Sequence, residues 1–249
     1  MAAIDKLKSL DWQADRLLVA DVLFRLVLSS DERDPVWSSL SHFDLYKPRE
    51  LVEEYAKALE TFGCESPRSI LELGLYDCGS MVLWNEVFSP SKIVGVDILD
   101  RRDSEYFEQY KSSRHLEGKL KTYWGVDQKD REALLKIVGD NFEGGLDLII
   151  DDASHFYEET KASFELLFPL LKPGGLYVIE DWQWAHWREF QTHEYFRGKA
   201  ALTEFIAELI ALTGSQAPFA PSQLKVYSRM AVVKGGIVAP PLDFAVPPL

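Results

Sequence analysis

Cysteine is nearly missing from this chain: its 249 residues include two, Cys64 and Cys78. Two cannot build a disulfide framework, and their spacing fits no metal-ligand pattern, so a reducing, cytoplasmic setting is expected. Basic charge is scarce too, with 27 Lys and Arg against 40 Asp and Glu and a net charge of −13. A protein that grips nucleic acid needs a basic face to neutralise phosphates, so DNA and RNA are not expected partners. No apolar run approaches the roughly 20 residues that span a bilayer. The opening MAAIDKLKSLDW also lacks the basic-then-apolar order of a secretory signal, so a membrane is not expected either. Internal repeats and low-complexity segments are absent.

What remains is a globular composition, 47% hydrophobic and 27% charged, of a length that suits one α/β domain with an extension. Residues 1–65 show no strand followed by a Gly-rich turn and read as a helical extension, with helices over about Lys6–Leu28 and Arg49–Phe62. Between these lies SSDERDPVWSSLSHFDLYKPRE, too aromatic for a plain linker, which reads as a lid. From Ser69 to residue 236, short apolar runs alternate with helical patterns: SILEL, KIVGVDI, LKTYW, LDLIID and GLYVIED. Each lacks clean alternation, as strands buried on both faces do. The clearest helix runs from Tyr157 to Leu171 and stops at KPGG. LKVYS and MAVVKGG follow a helix near Ala200–Leu212 and suit an antiparallel pair at one sheet edge. Residues 237–249 form a Pro-rich tail expected to lie extended on the surface or on a partner subunit. The fold expected is α/β, a doubly wound, mostly parallel seven-stranded sheet.

The first run leads into LELGLYDCGSM, with Glu72, Gly74, Gly79 and Ser80. Ligands of doubly wound sheets bind at the carboxyl ends of the strands, where glycines let the backbone approach them. Asp97 ends the second run, placed to accept hydrogen bonds from the ribose hydroxyls of an adenosine ligand. The dinucleotide fingerprint G-x-G-x-x-G is absent, because the glycines of GLYDCG are five apart. A turn and an acid alone are still compatible with a nicotinamide cofactor. The spacing after LEL resembles the first motif of class I methyltransferases, which bind S-adenosylmethionine. WGVDQKD resembles the adenine-covering loop of that class, which implies roles there for Asp127 and Gln128.

Acids crowd two further strand ends. One carries Asp151 and Asp152, then Ala153-Ser154-His155; the other carries Glu180-Asp181. Asp151 is counted with the donor site. Several carboxylates at one sheet end repel unless a positive charge lies between them, and oxygen ligands favour a hard cation, Mg²⁺ first. The bland reading has one acid on the donor and the others capping helices. The stretch LDLIIDDASHFYEETKASFELLFPLLKPGGLYVIEDWQWAHW resembles the metal-dependent macrocin and mycinamicin sugar O-methyltransferases, and also the cephalosporin-hydroxylase-like family. D-D-x-S-H followed by I-E-D carries this likeness, which covers about residues 68–188.

The resemblance implies that Asp152, Glu180 and Asp181 bind Mg²⁺, that His155 is a general base, and that the chain is a homo-oligomer. It also implies a small-molecule natural product as substrate, methylated on a hydroxyl of a sugar or vicinal diol. The WQWAHW segment departs from those enzymes. Trp182, Trp184, Trp187 and His186 are candidates for the acceptor pocket, and Tyr46 and His42 for closure over the donor. The rival readings are a hydroxylase-like enzyme and a non-catalytic binding module on the same scaffold.

Overall fold

The computed structural model describes residues 3–27 and 41–249. Residues 29–40 of the stretch read as a lid lie outside these. Two compact units divide the chain, 1–125 and 126–249.

In the first unit the expected helix over Lys6–Leu28 is replaced by a short helix and a small sheet. Helix α1 (Ala3–Lys8) is followed by strands β1 (Asp11–Trp12), β2 (Arg16–Val19), β3 (Val22–Leu26) and β4 (Phe43–Leu45). They pair in that order: β1, β2 and β3 antiparallel, and β4 parallel to β3. The physical reason lies in the spacing. Leu17, Val19, Val22 and Phe24 are buried while Leu18 is 51% exposed, a period of two that β-branched and aromatic residues favour. Val19 pairs with Val22 across a two-residue turn in which Ala20 takes φ 53°. A helix through Asp21 would forgo that pairing. The extension is therefore mixed rather than helical. Helix α2 (Arg49–Phe62) matches expectation and stops at Gly63, whose φ of 70° suits a left-handed cap.

The rest of the first unit is β5 (Ser69–Leu73), α3 (Gly79–Phe88), β6 (Lys92–Asp97), α4 (Glu105–Ser113) and β7 (Leu120–Trp124). Strands β5, β6 and β7 are parallel neighbours. The second unit holds α5 (Arg131–Asn141), β8 (Leu146–Asp151), α6 (Tyr157–Leu167), β9 (Leu171–Glu180), α7 (Arg188–Gln191), α8 (Leu202–Thr213), β10 (Gln223–Val226) and β11 (Met230–Lys234). Strands β8 and β9 run parallel, and β11 and β10 add antiparallel beyond β9. The seven-stranded order is β10-β11-β9-β8-β5-β6-β7, the doubly wound sheet expected.

One boundary shifts in the second unit. Helix α6 ends at Leu167, a 3₁₀ turn covers Phe168–Leu170, and β9 already begins at Leu171. Lys172-Pro173-Gly174-Gly175 does not merely stop the helix. It is the first part of the strand, where the register against β8 slips between Leu146 and Leu148. The Pro-rich tail docks on its own unit. Phe244 is buried against Phe164, Phe168 and Phe219, and the Val246 amide donates to Glu165 Oε1 at 2.8 Å. Among the described residues no helix is long and apolar enough to cross a membrane.

Candidate functional site

At the carboxyl end of β5 the chain makes a tight turn. Gly74 takes φ 88°, Tyr76 φ 51° and Cys78 φ 68° before α3 begins at Gly79. Asp97, ending β6, holds this turn in shape. Its Oδ2 accepts from the amides of Leu75 at 2.7 Å and Tyr76 at 2.9 Å, and its Oδ1 from Leu99 at 2.8 Å. The carboxylate expected to meet a ribose thus also organises the loop. Glu72 is fully buried in β5, where its Oε1 accepts from the Trp84 indole at 3.3 Å and lies 3.9 Å from Lys47 Nζ. Ser80 is partly exposed in the first turn of α3.

The N-terminal sheet touches this turn. A Cβ on Gly79 would lie 1.9 Å from the Asp44 carbonyl oxygen, so only glycine fits there. Arg25 grips the Asp44 carboxylate with two bonds of 2.7 and 2.6 Å, and His42 Nε2 lies 3.6 Å from the same group. The Tyr46 ring meets the Tyr76 ring edge-on at 4.6 Å. Tyr46 thus flanks the turn, and His42 lies beside Asp44. Burial, with Asp77 next, pushes the Tyr46 phenol well up. Sequence reasoning passed over Asp77, in the middle of GLYDCG. Its Oδ1 accepts from the Gly79 amide at 3.2 Å, and burial pushes its carboxyl up to about 8 against the pull of that amide, with Asp44 adding. Its place inside the glycine turn was the available signal.

In the second unit Asp151 is 2% exposed and serves an internal network. It accepts from Ser163 Oγ at 2.6 Å, Tyr177 OH at 2.8 Å and Gln128 Nε2 at 3.4 Å. Burial raises its carboxyl, and Ser163 and Tyr177 pull it back down. Gln128 is buried as well and accepts from the Ser154 amide at 3.1 Å through Oε1. In this structure these two side chains fix the loop before His155. Asp127, partly exposed, accepts from the Lys129 amide at 2.8 Å.

Beyond that network lie Asp152, His155 and Asp181, with one ligand atom from each within 4.8 Å of the others. His155 Nε2 is 3.9 Å from Asp152 Oδ1. His155 and Asp181 both take left-handed backbones, φ 59° and 52°, a conformation uncommon outside glycine, though Asp and His adopt it more than most, and one that clusters at functional sites. The Asp181 amide donates to the Arg229 carbonyl at 2.8 Å, which fixes the kink. Two carboxylates and an imidazole drawn this close fit a divalent cation, which relieves the repulsion between the acids. Glu180, the last residue of β9, is buried and is not a member of this group of three.

The Trp-rich segment behind Asp181 divides by role. Trp184 sets its ring 4.5 Å from the His155 imidazole and stacks on Phe190 at 5.4 Å and 1°. Trp182 donates to the Tyr227 carbonyl at 3.0 Å, and His186 Nε2 bonds Thr203 Oγ1, so these two anchor the segment. Trp187 is 36% exposed.

Set against known families, residues 71–182 match the one described as "Methyltransferase domain", a span holding both the glycine turn and the Asp152–His155–Asp181 group. Demethylmacrocin O-methyltransferase of Streptomyces fradiae is 32% identical over 170 residues, which are 66% of this chain and 37% of that protein. Mycinamicin VI 2''-O-methyltransferase of Micromonospora griseorubida is 35% identical over 128 residues, 49% of this chain and 29% of that protein. The solved structure of the MycE methyltransferase from the mycinamycin biosynthetic pathway, in complex with Mg, SAH and mycinamycin VI, aligns with a TM-score of 0.55 at 29% identity. That alignment covers 74% of this chain and 49% of MycE. The chain spans less than half the length of each of these proteins.

Proposed function

We propose that the chain is an S-adenosylmethionine-dependent O-methyltransferase that methylates a hydroxyl of a small natural product, on a sugar or a vicinal diol. The observation that carries this reading is the convergence of Asp152, His155 and Asp181 inside a methyltransferase domain. The relatives named as O-methyltransferases of demethylmacrocin and mycinamicin VI support a natural-product acceptor. When bound, S-adenosylmethionine supplies the methyl group as a sulfonium and Mg²⁺ supplies Lewis-acid polarisation of the acceptor hydroxyl.

The chain's own residues do the rest. Glu72, Gly74, Gly79, Ser80 and Asp97 form the donor end, with Asp97 keeping the turn open. Asp127 and Gln128 follow as the adenine-side loop. Asp152 and Asp181 hold the cation, with Glu180 as the third carboxylate. His155 takes the hydroxyl proton at Nε2, and the Trp184 ring confines its imidazole.

Mn²⁺ titrated into the protein with S-adenosylmethionine present tests the core of this proposal. The parent should deplete the free-ion resonance and Asp152→Asn should not. Product mass after incubation with donor and a panel of vicinal-diol glycosides should show one added methyl group. Equal Mn²⁺ depletion by both proteins would remove the cation site.

A further inference from the structure

Gln183 stands two residues beyond Asp181 and is 8% exposed. Its Nε2 donates to Asp181 Oδ1 at 3.4 Å. That bond fixes which way the amide faces, because a carboxylate oxygen accepts only from the nitrogen. The other end, Oε1, is buried and has no hydrogen-bond partner among the described residues. Buried amide oxygens are rarely left so, since the lost hydration is not returned. The nitrogen of the same amide sits on Asp181, which is grouped with Asp152 and His155. A hard divalent cation seeks about six oxygens, and neutral amide oxygens can serve among them beside carboxylates.

We propose that Gln183 Oε1 is a neutral oxygen donor to the divalent-cation site. The inference rests on the reading above, that Asp152 and Asp181 hold such a cation. A competing role is that of a strut, in which only the Nε2 contact to Asp181 matters. Two variants of the full chain separate these roles, with Mn²⁺ alone as the probe. Gln183→Leu removes both oxygen and nitrogen at similar size. Gln183→Glu keeps an oxygen at the same reach and removes the nitrogen donor.

Free-ion Mn²⁺ resonance should show Gln183→Leu binding at least about ten-fold more weakly than the parent. Gln183→Glu should bind at least as tightly as the parent, which also proves that the altered segment folds. Parent-like affinity in Gln183→Leu would overturn the assignment and leave the cation site standing. A Gln183→Glu protein as weak as Gln183→Leu would overturn it in favour of the strut. A parent that binds no Mn²⁺ would bring down the cation reading and this assignment together.

Discussion

Asp77 is the side chain whose ionisation the fold opposes most visibly in the donor turn, with its carboxyl raised to about 8. The folded chain therefore holds a proton that the unfolded chain, with an ordinary carboxyl, gives up near pH 4. Stability from this group is fully present below that pH and is lost as pH rises toward 8. Asp77→Asn removes the titration. Its unfolding free energy in urea should gain on the parent's as pH is raised from about 5 to about 8.5, by on the order of 1–2 kcal/mol, since Asp77 keeps some contact with solvent. A gap that stays constant with pH would contradict the shift. Gly79→Ala tests the contact with Asp44 in the same turn. The added methyl has no room beside the Asp44 carbonyl, and urea unfolding should show a loss of about 1–3 kcal/mol. His155→Ala should lower turnover by about 10²–10⁴ while calorimetry finds S-adenosylhomocysteine bound as in the parent. At this scale the sequence was readable where a residue belonged to a recognised spacing, as Asp97 and His155 do. Gln183 carries no such signal, because an orphaned buried oxygen arises only once the segment is folded, and Asp77 offered only its place inside the glycine turn.

Elements were legible in proportion to how completely they are buried. Strands β5 and β8 coincide with SILEL and LDLIID, since a strand covered on both faces is a short apolar run between turn residues. Helix α2 was equally plain, with Leu51, Val52, Tyr55, Ala56, Leu59 and Phe62 on its buried face. The hairpin of β2 and β3 was misread for a physical reason. Leu17 and Phe24 stand seven apart, a separation that also fits a helix, and the turn at Ala20 bears neither Gly nor Asn to announce it. Strand β9 was placed late because Pro173 and two glycines usually mark an ending. The tail offers a prediction at this scale. Phe244→Ala empties a contact with Phe164, Phe168 and Phe219 and should cost about 3 kcal/mol in urea unfolding. Limited proteolysis should then cut after residue 237 sooner than in the parent.

At the scale of the molecule, ligands that bind the folded chain raise its melting temperature by mass action, worth about 2.7 kcal/mol at one hundred times Kd. Mg²⁺ should stabilise the parent and leave Asp152→Asn unmoved, while S-adenosylhomocysteine should stabilise both. Equal response of the two proteins to Mg²⁺ would mean that the ion binds elsewhere on an acidic surface of net charge −13. The bonds from Gln128 to Ser154 and Asp151, and from Asp151 to Ser163 and Tyr177, bear on engineering as well. They join the loop that carries His155 to Gln128, to α6 and to β9. A designer who transplanted Asp-Asp-Ala-Ser-His alone into another scaffold would carry over the letters and lose their posture. The portable unit is the signature together with residues 128, 163 and 177.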